Sequence, residues 1–136
     1  MRKDIEIPKV KDISVAVVKE LNEEKTVEVY NVYLINKKNS LIKNAMVSSK
    51  GYGENKTTGE KIKTSTLRHF IGDINANDFA KIEPIVEDVF GLNNEYWVSY
   101  YEGSQVFDKK FIFLAETICD ENMINVPVIK RKGVLI

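Results

Sequence analysis

The stretch Glu95-Tyr96-Trp97-Val98-Ser99-Tyr100-Tyr101-Glu102-Gly103-Ser104-Gln105-Val106-Phe107-Asp108-Lys109-Lys110-Phe111-Ile112-Phe113-Leu114 reads as two extended arms around Glu102-Gly103-Ser104. Aromatic and β-branched residues dominate both arms, and such residues suit a pleated, half-buried surface. Gly103 can adopt a positive φ, so the pattern predicts a tight β-hairpin. Alternation along the first arm puts Tyr96, Val98 and Tyr100 on one face and Trp97, Ser99 and Tyr101 on the other. One set fills a core. The other forms an exposed aromatic strip unless a strand, a subunit or a ligand covers it.

Working outward, β-favouring stretches start near residues 12, 27, 43, 61, 78, 95 and 105, separated by Gly, Asn, Asp and Lys turns. From Asp12, Ile13, Val15 and Val17 alternate with Ser14, Ala16 and Val18, as for a strand buried mainly on one face. Thr26 to Asn36 is apolar on both faces and therefore predicts a central strand. Leu41 to Ser49 reads as a weaker strand carrying Ile42, Ala45 and Val47. The three glycines between Gly51 and Gly59 predict a long mobile loop. Ile62 to Ile71 alternates again, and Asp78 to Ile85 should turn Ala80 and Ile82 inward with Lys81 and Glu83 toward water. Pro84 and Gly91 bracket one helical turn. Thr117 to Met123 predicts a short helix, and Asn125 to Ile136 an extended tail with a turn at Lys130-Arg131-Lys132-Gly133.

Strands at this spacing, without helices long enough for parallel crossovers, predict an all-β fold. The expected form is an immunoglobulin-like or fibronectin-type antiparallel β-sandwich of about seven strands with a short C-terminal helix or extended tail. A small closed barrel has the same periodicity. The 136 residues, 43% of them hydrophobic, suit one domain spanning 1–136, and no linker-like tract divides them.

Twenty basic residues balance twenty acidic ones, so no global field favours nucleic acid or an anionic membrane. The one cysteine, Cys119, excludes an internal disulfide, and Met1 to Pro8 lacks the apolar run of a secretory signal. The expectation is a cytoplasmic protein with no nucleic-acid or membrane partner. Charge is nevertheless segregated. Eight basic residues between Lys37 and Arg68 meet only Glu54 and Glu60, and seven acidic residues between Asp73 and Glu102 meet only Lys81. If the third strand pairs with the sixth and the fourth with the fifth, basic strands lie beside acidic ones and fix register. The sharper alternative is a polar molecule that associates basic end to acidic end.

His69 and Cys119 are the lone reactive pair, but a catalytic thiolate needs a base in reach and an oxyanion site, which spacing does not supply. His69 shares a face with Leu67 and Ile71 and reads as a hydrogen-bonded structural histidine. Two potential Cys or His ligands fall short of the four that a structural zinc site uses, and no EF-hand spacing is present. Ser48-Ser49-Lys50-Gly51-Tyr52-Gly53 lacks the Gly-Lys-Ser/Thr ending of a phosphate loop and reads as a strand-to-strand connection able to contact a partner.

Val47-Ser48-Ser49-Lys50-Gly51-Tyr52-Gly53, Lys63-Thr64-Ser65-Thr66-Leu67-Arg68-His69-Phe70 and Phe90-Gly91-Leu92-Asn93-Asn94-Glu95-Tyr96-Trp97-Val98-Ser99 carry a further signal. Across most of its length the chain resembles a family of small bacterial single-domain proteins of unassigned function, some bearing an automated phenylalanyl-tRNA synthetase subunit label. The resemblance transfers no catalytic residues. A synthetase catalytic domain needs a much larger scaffold, so the label implies at most an accessory module.

With no acid, base, nucleophile or metal set converging, no catalytic residue, cofactor or metal is expected. The sequence points to a non-catalytic module acting through protein contact, in a homo-oligomer or a larger assembly, with Lys50, Tyr52, Trp97 and Tyr101 as the interaction surface. A small-ligand or glycan domain using the aromatic strip is the alternative, and a synthetase accessory protein ranks third.

Overall fold

A computed structural model describes residues 9–136, so the leader reading of Met1 to Pro8 lies outside the described residues. Seven long strands carry the fold: β1 (Ile13–Leu21), β2 (Glu28–Asn36), β3 (Ile42–Glu54), β5 (Leu67–Ile74), β6 (Asp78–Ile85), β7 (Asn93–Glu102) and β8 (Gln105–Phe113). Three short strands complete it: β4 (Lys61–Lys63), β9 (Ile124–Asn125) and β10 (Lys132–Leu135). Every pairing is antiparallel. One sheet runs β6-β2-β1-β10-β9; the other runs β8-β7-β3, with β5 and β4 sharing the far edge of β3.

The two sheets pack as a sandwich. Val15, Val17, Val32 and Leu34 of the first meet Val47, Tyr96, Val98, Tyr100, Phe111 and Phe113 of the second, all fully or nearly fully buried. Tyr96 and Phe113 meet edge to face at 6.0 Å, and Tyr100 stacks on Phe107 at 5.4 Å, geometries that add to area burial. The hairpin forms as expected, pairing Glu102 with Gln105, and Gly103 carries a φ of 61°. β2 lies between β1 and β6, as its two apolar faces require. β1 is buried on both faces rather than one, because a turn after β9 covers its other side.

Several local expectations are corrected. β3 continues through Gly51 and Gly53 to Glu54, leaving only residues 55–60 as the loop. A Cβ on Gly53 would stand 3.1 Å from Leu92, so these glycines serve close packing more than mobility. The strand expected over Ile62 to Ile71 breaks at residues 64–66, where Gly51 N donates to Thr64 Oγ1 and Thr64 N to Gly51 O. The fourth long strand, β5, pairs with β3 rather than with β6, and β6 crosses to the other sheet beside β2. β10 begins at Lys132, so the turn lies earlier, with positive φ at Val128 and Lys130.

The helices expected after Pro84 and near Thr117 are single 3-10 turns, Glu87–Val89 and Asp120–Asn122. The Val134-Leu135-Ile136 tail docks on its own chain, as β10 lies beside β1.

Two bulges set side-chain direction. In β3 the register shifts around Lys43 and Asn44, and Asn44, at a φ of 50°, is held by its N–H donating to Asp73 Oδ1 at 3.0 Å. Ile42 and Ala45, three residues apart, are thereby both buried. In β6, Val32 pairs with Glu83 and Tyr33 with Lys81, leaving Ile82 as the extra residue. That bulge rotates Glu83 away from solvent and overturns its expected outward placement.

Candidate binding face and inter-sheet carboxylate

The outward row of β3 is Met46, Ser48, Lys50 and Tyr52, and that of β7 is Glu95, Trp97, Ser99 and Tyr101. Register sets Met46 between Phe70 and Ser99, Ser48 between Arg68 and Trp97, and Lys50 opposite Glu95. Lys50, Tyr52, Trp97 and Tyr101, read from sequence as the interaction surface, therefore share one face. They are joined there by Met46, Phe70, Arg68 and Val106, which sequence reading left out. Phe70 is 70% exposed, Met46 51%, Trp97 45% and Tyr101 41%. Between β5, β3 and β7, Met46, Ser48, Arg68, Phe70, Trp97 and Ser99 line a groove of about 460 Å³.

Polar groups frame this apolar strip. Lys50 Nζ lies 3.8 Å from Glu95 Oε2, and Tyr52 OH donates to Glu95 Oε1 at 3.4 Å. Partial burial, and then the Glu95 charge, push the Tyr52 hydroxyl above its ordinary pKa. Lys110 Nζ sits 4.9 Å from the Trp97 ring centroid and covers one face of the indole. The basic and acidic segments do adjoin here and at Lys38–Glu102, 3.6 Å apart.

The first sheet treats its outer face differently. Ala16, Val18, Tyr33 and Ile35 point outward there, and Val126 and Ile129 of the turn before β10 cover them. Glu20 fastens that turn, accepting from Arg131 Nη1 at 2.6 Å, Asn31 Nδ2 at 2.7 Å and Tyr33 OH at 2.5 Å. Burial alone would raise the Glu20 pKa, but the bonds from Tyr33 and Asn31 and the Arg131 charge outweigh it and hold the group below its ordinary value.

A second polar centre sits where β5 and β6 close the side of the sandwich. Glu83 Oε1 accepts from Ser49 Oγ at 2.8 Å and His69 Nε2 at 2.7 Å, and Oε2 accepts from Tyr96 OH at 3.0 Å. Leu67, Ile85, Val86 and Val89 line an adjoining cavity of about 310 Å³. Serine, histidine and carboxylate are the parts of a hydrolytic triad in the wrong order. Activation of serine needs the imidazole between hydroxyl and carboxylate. Here the carboxylate lies in the centre and collects all three donors, so Ser49 gives its hydrogen bond to Glu83 rather than to the imidazole.

His69 is thus a hydrogen-bonded strand residue, and half-buried Cys119 lies before the second 3-10 turn. Among the described residues no group of three or more His, Cys, Asp or Glu side chains converges, and no helix is long and apolar enough to cross a membrane. No protein-family model, curated protein or solved structure matches the chain.

Proposed function

We propose that this chain is a non-catalytic β-sandwich module that acts by contact with a protein partner on the outer face of its second sheet. The observation that carries the reading is the contrast between the two outer faces. Apolar side chains on one are covered by the chain's own turn, whereas Met46, Phe70, Trp97 and Tyr101 on the other meet solvent. Tryptophan, tyrosine, methionine and arginine inside a polar rim form the composition that binding patches favour. The strand order, β6-β2-β1 over β8-β7-β3-β5, supports an immunoglobulin-like or fibronectin-type description. One half-buried cysteine without a disulfide supports a cytoplasmic setting. The balance of twenty basic and twenty acidic residues argues against nucleic acid.

The test is comparative affinity capture from native lysate, at low and high salt, with the wild type and a Met46→Glu/Trp97→Ser variant of matching thermal stability. A partner retained by the wild type and lost by the variant supports the reading. Equal capture by both overturns it.

The groove between Trp97, Phe70, Arg68, Ser48 and Ser99 favours one second reading, a small-ligand or glycan site, since one face of Trp97 is open to stacking. A melting-temperature rise with a glycan panel, abolished by Trp97→Ser, would select it over protein contact. Dependence of aminoacylation on this chain would instead select the synthetase-accessory role.

A further inference from the structure

Among the described residues β8 ends the second sheet, and none of them forms a strand along the outer side of its nine residues. Its two-residue turn makes Glu102 and Gln105 a hydrogen-bonded pair, so odd-numbered residues of β8 direct N–H and C=O toward β7. Val106, Asp108, Lys110 and Ile112 therefore direct theirs at the free edge. These same four residues carry side chains on the outer face of the sheet, in the order apolar, acidic, basic, apolar.

We infer that β8 pairs antiparallel with β8 of a second copy, about a two-fold axis at Lys109, joining the two second sheets into one. In that register Val106 faces the partner's Ile112 and Asp108 faces the partner's Lys110, with the reciprocal pairs completing the row. About eight ladder hydrogen bonds form between the groups that point outward. On the inner face Phe107 stands opposite the partner's Phe111, an aromatic cross-strand pair. The chosen axis sets Lys109 against the partner's Lys109, one like pair against two opposite ones, whereas registers that keep the faces aligned and shift the axis by one residue set Asp108 against Asp108 or Lys110 against Lys110 and keep no opposite pair. Charges on an edge strand ordinarily repel other strands. Here their order inverts on reversal, so the strand that matches this edge is its own copy. The inference concerns the edge rather than the Trp97 face; Lys110 reaches both, so Asp108→Lys is the arm that leaves the cover of the indole in place.

The experiment uses the full chain and charge reversal. Wild-type protein should sediment as a concentration-dependent dimer. Asp108→Lys and Lys110→Asp should each weaken self-association roughly tenfold or more, because each sets two like-charge pairs in the ladder. Mixing the two variants should restore a dimer, since the mixed pair regains both opposite-charge contacts. In a Cys119→Ser background, Lys109→Cys should oxidise to a linked dimer, because a non-hydrogen-bonded pair brings Cα atoms to about 4.5 Å. Val106→Cys should not. A wild-type monomer up to about 1 mM, a dimer indifferent to both charge reversals, or cross-linking no better at 109 than at 106 would overturn the inference.

Discussion

Replacing Glu83 tests whether the sandwich depends on a polar tie between its sheets. The carboxylate belongs to β6 of the first sheet, and its three donors belong to β3, β5 and β7 of the second. Truncation to Ala orphans them unequally. Ser49 is buried and Tyr96 is 2% exposed, so neither hydroxyl gains full hydration, whereas about a quarter of the His69 side chain reaches water.

Two orphaned hydroxyls at about 1 kcal/mol each, with about 1 kcal/mol for the one truncated methylene, give an expected loss near 3 kcal/mol for Glu83→Ala. Glu83→Gln should lose only about 1 kcal/mol, because the Tyr96 hydroxyl can rotate and accept from the new amide. Tyr96→Phe should cost about 1 kcal/mol in the wild type and nothing, or less than nothing, beside Glu83→Ala, where it removes an orphaned group. Urea unfolding followed by Trp97 fluorescence, with the slope unchanged, measures the wild type and all four variants. A Glu83→Ala loss below about 0.5 kcal/mol, or an equal Tyr96→Phe cost in both backgrounds, would refute the tie.

Three further outcomes follow from single sites. A Cβ on Gly133 would lie 2.5 Å from Val17 O and 3.1 Å from Val18 Cα, so Gly133→Ala must displace β1 and should cost about 2 kcal/mol in the same unfolding assay. Burial, then Glu20, pushes Tyr33 up to about 12, and burial, then Glu102, does the same for Tyr100. Both hold their protons more tightly folded than unfolded, so their stabilisation is complete below the ordinary value of 10.0 and is lost as pH rises toward 12. Alkaline titration of tyrosinate absorbance should show them ionising together with unfolding. Glu20 has the opposite sign: its depressed folded value means stability present above the ordinary 4.5 and lost as pH falls through the folded value. Amide exchange in the Val126–Arg131 turn should accelerate in that acid range first, and Arg131→Ala should reproduce the effect at neutral pH.

Alternation of period two was enough to locate the long strands, the hairpin and the division of β7 into a buried row and an aromatic row. It misled wherever backbone geometry changed parity. Ile82 looks like one more inward residue, yet as the bulged residue of β6 it turns its neighbour Glu83 inward as well. Within Lys81-Ile82-Glu83-Pro84 the one sign of it is Pro84, since strands admit proline at edges and bulges. Strand pairing was equally hidden, because Leu67 to Ile74 has the same alternation whether it lies beside β3 or β6. Thr64 decides where the preceding strand stops, through reciprocal bonds to Gly51.

Which outer face stays open was the part of the candidate site least legible in sequence, and the physical reason lies far from either face in the chain. Tyr33 and Ile35 are as apolar as Trp97 and Met46, so hydropathy gives each sheet an equal claim to a partner. The claim is settled for the first sheet by Val126 and Ile129, which reach its surface only because β10 inserts beside β1 and Arg131 is caught by Glu20. Insertion in turn requires Gly133, since any side chain there would strike Val17 O. One glycine and one ion pair thus commit the C-terminal segment to the first sheet. Once that segment is spent, no other stretch of the described chain lies over Met46, Phe70, Trp97 and Tyr101, and it is this open face that the proposed function assigns to a protein partner.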